Sequence, residues 1–138
     1  MTKEHDQIRR LIELAHYEDH PDRKESEAFR DIKRHYHEID APCFIDNKYC
    51  SPGIEIHHSI IEWSAWTSIE KSKVDFHDPD TLINTMPLCR VHHTSKGYGI
   101  HSITYPIWIL QKYMNEEALD DFHNAVEKML QEEKHGNA

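Results

Sequence analysis

The sequence predicts an α+β fold in which helix is the larger share. Two observations carry that expectation. Apolar residues recur at helical spacing near both ends of the chain, and the stretch between them changes chemistry, becoming rich in Cys, His, Gly, Pro and Trp with short β-prone runs. At 138 residues the chain is one domain's worth. Its parts are a helical segment over 1–41, a core over 42–105 and helices over 106–138.

In the first part, Ile8, Leu11, Ile12 and Ala15 follow the i, i+3, i+4, i+7 spacing of one helical face. Asp19-His20-Pro21 should stop that helix, because proline disfavours helical backbone at the residue before it. A second helix places Phe29, Ile32, Tyr36 and Ile39 on one face and ends before Asp40-Ala41-Pro42. The two are expected to pair and pack on the rest of the chain.

The middle part opens with Gly53-Ile54-Glu55-Ile56-His57-His58, a strand in which Ile54, Ile56 and His58 alternate with Glu55 and His57. From Thr67 to Asp80 the pattern is irregular and reads as a long loop with one helical turn at most. Helical spacing returns at Pro106, a residue well tolerated in a first turn. Leu119, Phe122, Val126, Met129 and Leu130 then form an apolar stripe on an acidic helix, expected to dock on the helices of 1–39 or on a second copy of the chain.

Charge narrows the classes of function. The net charge of -9 is concentrated at the end, where residues 115–138 carry 2 basic and 7 acidic side chains. No basic footprint for passive nucleic-acid binding exists, so such contact would need local patches or a bound cation. No apolar run approaches the length of a membrane span, and the amino terminus lacks the apolar segment of a signal peptide. Cytoplasmic residence and no membrane partner are the corresponding expectations.

Metal is suggested by the placement of Cys and His. The 3 cysteines are too few and odd in number for a disulfide framework, and they share residues 43–101 with 6 of the 13 histidines. Structural zinc takes four N or S ligands, commonly presented in pairs at short spacing. Here the pairs are Cys43 with Cys50, a loose spacing, and Cys89-Arg90-Val91-His92, a spacing suited to a turn entering a helix.

Further residues extend the pattern: Glu55-Ile56-His57-His58 on the strand, then Asn84-Thr85-Met86-Pro87-Leu88-Cys89-Arg90-Val91-His92-His93. This ordered set resembles the HNH endonuclease family in its zinc-containing variety, as found in phage or prophage-like proteins, over roughly residues 42–105. The resemblance implies a small ββα-metal core braced by zinc. It departs from the family pattern in the wider Cys43–Cys50 interval and in His92, which stands where cysteine is usual.

The resemblance also implies roles. His58 would be the general base and Asn84 would brace the loop or the base, or join the cation's ligands. His57 and His93 would hold the catalytic cation, such as Mg2+, Mn2+ or Ni2+, and Cys43, Cys50, Cys89 and His92 the structural zinc. Glu55 would support His57 from its own strand face, and His101, after Lys96-Gly97-Tyr98-Gly99, would reach the cation or a phosphate. The implied activity is metal-dependent hydrolysis of DNA, with RNA as another substrate. The rival is a non-catalytic zinc protein of the same fold that binds a protein, as a phage anti-defence factor or adaptor. A homodimer or protein partner would then engage the terminal helices.

Overall fold

In the computed structural model, residues 25–136 are described, and the expected first helix around Ile8 and Leu11 lies outside them. The order is α1 (Glu27–Glu38), β1 (Glu55–His58), two short 3-10 turns (Trp63–Ser68 and Lys71–Lys73), β2 (Thr85–Leu88), α2 (Arg90–His93), α3 (Tyr105–Tyr113) and α4 (Glu116–Gly136). The protein is therefore α+β with a two-stranded antiparallel sheet. Among the described residues no helix is long and apolar enough to cross a membrane.

Helix α1 begins at Ser26, whose hydroxyl oxygen accepts the Phe29 N–H at 3.0 Å, and it buries Phe29, Ile32 and Tyr36. Ile39 departs from expectation and is 58% exposed. The helix closes with two reverse bonds, Ala41 N–H to Tyr36 O and Asp40 N–H to His37 O, around Asp40 at φ 50°. That left-handed turn swings the chain away before Ile39 can join the buried face.

The β-hairpin pairs Glu55 with Leu88, Ile56 with Pro87, His57 with Met86 and His58 with Thr85. Simple alternation of burial does not hold along β1, because both His57 and His58 are buried. Its two faces are covered by different parts of the chain. The core proper is Cys43, Ile45, Leu88, Cys89 and Trp108, ringed by Phe44, Cys50, Met86, Val91, Ile100, Ile103 and Ile109. Trp108 on α3 donates its indole N–H to the His92 carbonyl at 2.8 Å, which seats α3 on α2.

Helix α4 starts at Asn115, whose side-chain oxygen accepts the Ala118 N–H at 2.9 Å. Its buried face is Leu119, His123 and Val126, with Met129 turned outward. It packs on the loops at Tyr49 and Tyr98. His123 stacks between those two tyrosines with centroids at 3.4 and 4.4 Å. Gly97, at φ 88°, is required beneath this helix, because a Cβ there would lie 2.6 Å from Val126.

Candidate functional site

Two groups of metal-ligating side chains lie on either side of α2. The first joins Cys43, Cys50, Cys89 and His92, two residues from the loop between α1 and β1 and two from the turn that opens α2. The His92 Nδ1 stands 3.8 Å from the Cys43 Sγ, 3.5 Å from that of Cys50 and 3.2 Å from that of Cys89. Zinc bonded at about 2.3 Å to sulfur and about 2.05 Å to nitrogen, with tetrahedral angles, places each S···N pair about 3.6 Å apart. The observed distances bracket that value, so the donor set fits a zinc ion both in chemistry and in geometry. The looser Cys43–Cys50 spacing is accommodated by a loop that doubles back through Asp46 at φ 52° and an Asn47 turn onto the Tyr49 N–H.

Electrostatics points the same way. Burial, followed by the Cys43 and Cys89 thiols, pushes Cys50 up to about 12. Burial works to raise Cys89 too, but the N–H of His92 and the groups of Ser51 outweigh it and hold that thiol below its ordinary value. Burial, then the His123 ring, lowers His92 to about 4. Its imidazole is thus neutral at physiological pH and has a lone pair to give. Three crowded thiols against one neutral nitrogen is an arrangement that a divalent cation relieves.

The second group is His57 from β1, His93 from the end of α2 and His101 from the turn after it. Ring centroids lie 5.3 Å apart for His57 and His93, 4.8 Å for His57 and His101, and 4.9 Å for His93 and His101. The Nε2 atoms of His93 and His101 face each other at 3.2 Å. Two nitrogens about 2.1 Å from one ion stand about 3.0 Å apart at a right angle and about 3.4 Å at the tetrahedral angle. The pair is therefore at ligand separation.

Glu55, two residues before His57 on the same strand face, reaches the His93 Nδ1 at 2.9 Å. It holds that proton and turns the His93 Nε2 lone pair toward the group. Burial, then His101, His93 and His58, lowers His57 to about 4, while burial and His93 lower His101 against the opposing pull of Glu62. The group runs from buried His57 through half-buried His93 to exposed His101, so one side meets solvent.

What brings His101 here is a close approach of backbone to backbone. The His101 N–H donates to the His93 carbonyl at 3.2 Å, and Gly99 lies so near α2 that a Cβ would fall 2.6 Å from the His93 oxygen. Only glycine permits that contact.

His58 is not part of this group. It points to the other face of β1, is 6% exposed, and its Nε2 lies 2.7 Å from the Asp80 Oδ1. The Phe29 ring of α1 stacks on it at 5.4 Å. Asn84, completely buried, spends its whole side chain on the adjoining loops. Its oxygen accepts the N–H groups of Ile60 and Ile61 at 3.0 and 2.7 Å, and its amide donates to the carbonyls of Ile61 and Pro79, both at 2.9 Å. It braces the loops on both sides of the hairpin.

Sequence reasoning missed Asp80 and Ser26, which lie 22 and 32 residues from His58 and have no spacing signature. It also missed His123, which a closer look at periodicity would have found, since it falls four residues after Leu119 and three before Val126. Compared with protein-family models, with curated proteins and with solved structures, the chain matches none.

Proposed function

We propose that the protein is a metal-dependent endonuclease of the HNH type that hydrolyses DNA phosphodiester bonds. The observation that carries this reading is the convergence of His57, His93 and His101, with one side open to solvent, beside a separate Cys3His set. A structural zinc alone needs only the Cys3His set. A divalent cation held by the three imidazoles would supply positive charge to a phosphate and to the departing 3′-oxygen, charge that this acidic chain otherwise lacks.

The chain's own residues do the rest. His57, His93 and His101 bind, and Glu55 orients His93. Cys43, Cys50, Cys89 and His92 hold zinc at the base of the hairpin and so fix the start of α2. His58, the last residue of β1 with its ring on the strand face opposite the three imidazoles, is the residue this reading assigns to take the proton of the attacking water. Three imidazoles suit Mn2+, Ni2+ or Zn2+ better than Mg2+, which prefers oxygen ligands.

One observation favours a second reading, a non-catalytic zinc protein that binds another protein: His58 is buried under Phe29 and already engaged by Asp80. Plasmid cleavage separates the two. Purified protein should nick or cut DNA with Mn2+ or Ni2+ and stop when chelator is added. His58→Ala and His93→Ala should lose cleavage yet keep the zinc of the Cys3His set. Absence of cleavage with every cation, together with a protein partner captured by wild type and lost after neutralising Glu116, Glu117, Asp120 and Asp121, would replace the nuclease by the binding module.

A further inference from the structure

We propose that Asp80 is a positioning residue for His58, fixing the imidazole as the Nε2–H tautomer so that Nδ1 keeps the lone pair. The inference deepens the nuclease reading and rests on it for its functional meaning, although the tautomer itself can be observed without any activity.

The geometry is that of a carboxylate locked on both oxygens. Asp80 Oδ1 lies 2.7 Å from the His58 Nε2, and Asp80 Oδ2 accepts the Ser26 hydroxyl at 2.5 Å. Ser26 is committed in turn, because its oxygen accepts the Phe29 N–H as the cap of α1. The carboxylate's own backbone is held as well. The Asp80 N–H donates to the Asp78 side chain at 2.8 Å, and the preceding Pro79 carbonyl accepts the Asn84 amide at 2.9 Å. Both His58 and Asp80 have side chains only 6% exposed, and Phe29 covers the imidazole face.

A carboxylate is an acceptor only, so a neutral ring facing it must present Nε2–H. Nδ1, which has no hydrogen-bond partner among the described residues, is left as the proton-accepting atom. A ring free to exchange tautomers would hold the useful one only part of the time. A buried acidic partner removes that ambiguity and the rotation of the ring together. The helix α1 thereby acquires a part in the chemistry through Ser26 and Phe29.

The test exploits the asymmetry of an amide. In Asp80→Asn, the Ser26 hydroxyl should keep the side-chain oxygen, leaving the NH2 to face the His58 Nε2. That reverses the bond and forces the Nδ1–H tautomer. Long-range proton–nitrogen NMR of the zinc-loaded full chain at mildly alkaline pH reads the two tautomers directly. The expected results are Nε2–H in wild type and Nδ1–H in Asp80→Asn, with kcat for plasmid cleavage falling about a hundredfold or more, KM little changed and zinc content retained. Adding Ser26→Ala to Asp80→Asn should free the amide to turn over and recover part of both the tautomer and the rate.

Protonated Nδ1 in wild type overturns the proposal, as does an unchanged tautomer in a folded Asp80→Asn. If Asp80→Asn does not fold, the wild-type spectrum still decides. A wild type that shows Nε2–H but fails to cleave DNA under every cation tried would support the fixing of the tautomer by Asp80 and reject the nuclease reading.

Discussion

Replacing Asn84 by alanine removes four hydrogen bonds in one step, since its oxygen serves Ile60 and Ile61 and its amide serves Ile61 and Pro79. A typical intramolecular hydrogen bond contributes about 1 kcal/mol net, so the loss is about 4 kcal/mol before any cost of leaving the backbone partners dry. Against a total folding stability of about 5–15 kcal/mol, that is a large fraction. The melting temperature should fall by about 10–20 °C. Urea denaturation of zinc-loaded wild type and Asn84→Ala measures the lost free energy, and thermal unfolding the shift in melting temperature. Asn84→Asp gives a sharper contrast, because it keeps the acceptor for the two N–H groups but presents an oxygen to the Ile61 and Pro79 carbonyls. It should be destabilised at least as much as alanine. A loss below about 1 kcal/mol in Asn84→Ala would refute the bracing role. So would an Asn84→Asp protein that stays stable and binds Mn2+ more tightly, which is the behaviour of a cation ligand.

Three further outcomes are expected. Cys89→Ser should lose its zinc and much of its resistance to denaturant, because the metal contributes folding free energy directly; equal zinc in both proteins by metal analysis would reject the assignment. Gly99→Ala replaces no ligand side chain, but its Cβ against the His93 backbone should push His101 away from His93 and weaken Ni2+ binding about 10- to 100-fold by calorimetry, with zinc retained. An unchanged Ni2+ affinity would show that His101 takes no part. With no cation on the three imidazoles, His57 is held near 4 by burial and by the neighbouring His101 and His93 rings, below its unfolded value of about 6.5. The unfolded chain therefore binds the proton first, so this contribution is present above about pH 6.5 and is lost as pH falls toward 4. His57→Ala should show a shallower decline of urea midpoint over that window than wild type, and parallel curves would contradict the shift.

Much of this architecture is legible along the chain because it depends on local chemistry. Helical spacing places Phe29, Ile32 and Tyr36 on one face, and a proline suits the first turn of α3. The Cys89-x-x-His92 spacing sets two donors on one turn of backbone, and the adjacent His93 leaves that turn in another direction. Glu55 and His57 share a strand face because side chains alternate, and that rule alone ties Glu55 to the metal group. The same alternation separates His57 from His58, a division that adjacency in sequence conceals.

The remaining features depend on contacts between distant segments, for which spacing has no periodicity to detect. Asp80 meets His58 because the irregular loop is pinned by Asn84, and Ser26 joins them because α1 docks with Phe29 over the imidazole. Ile39 leaves its predicted face through a backbone turn at Asp40, a conformation that asparagine-like side chains tolerate but do not announce. The stripe of α4 is apolar by its own composition, yet its partner is the pair of tyrosines that grip His123. Residue types and local periodicity are properties of a short stretch and can be read from it. Which face of one stretch meets which face of another is settled by packing, where hydrogen bonds, ring stacking and excluded volume act together across the folded chain.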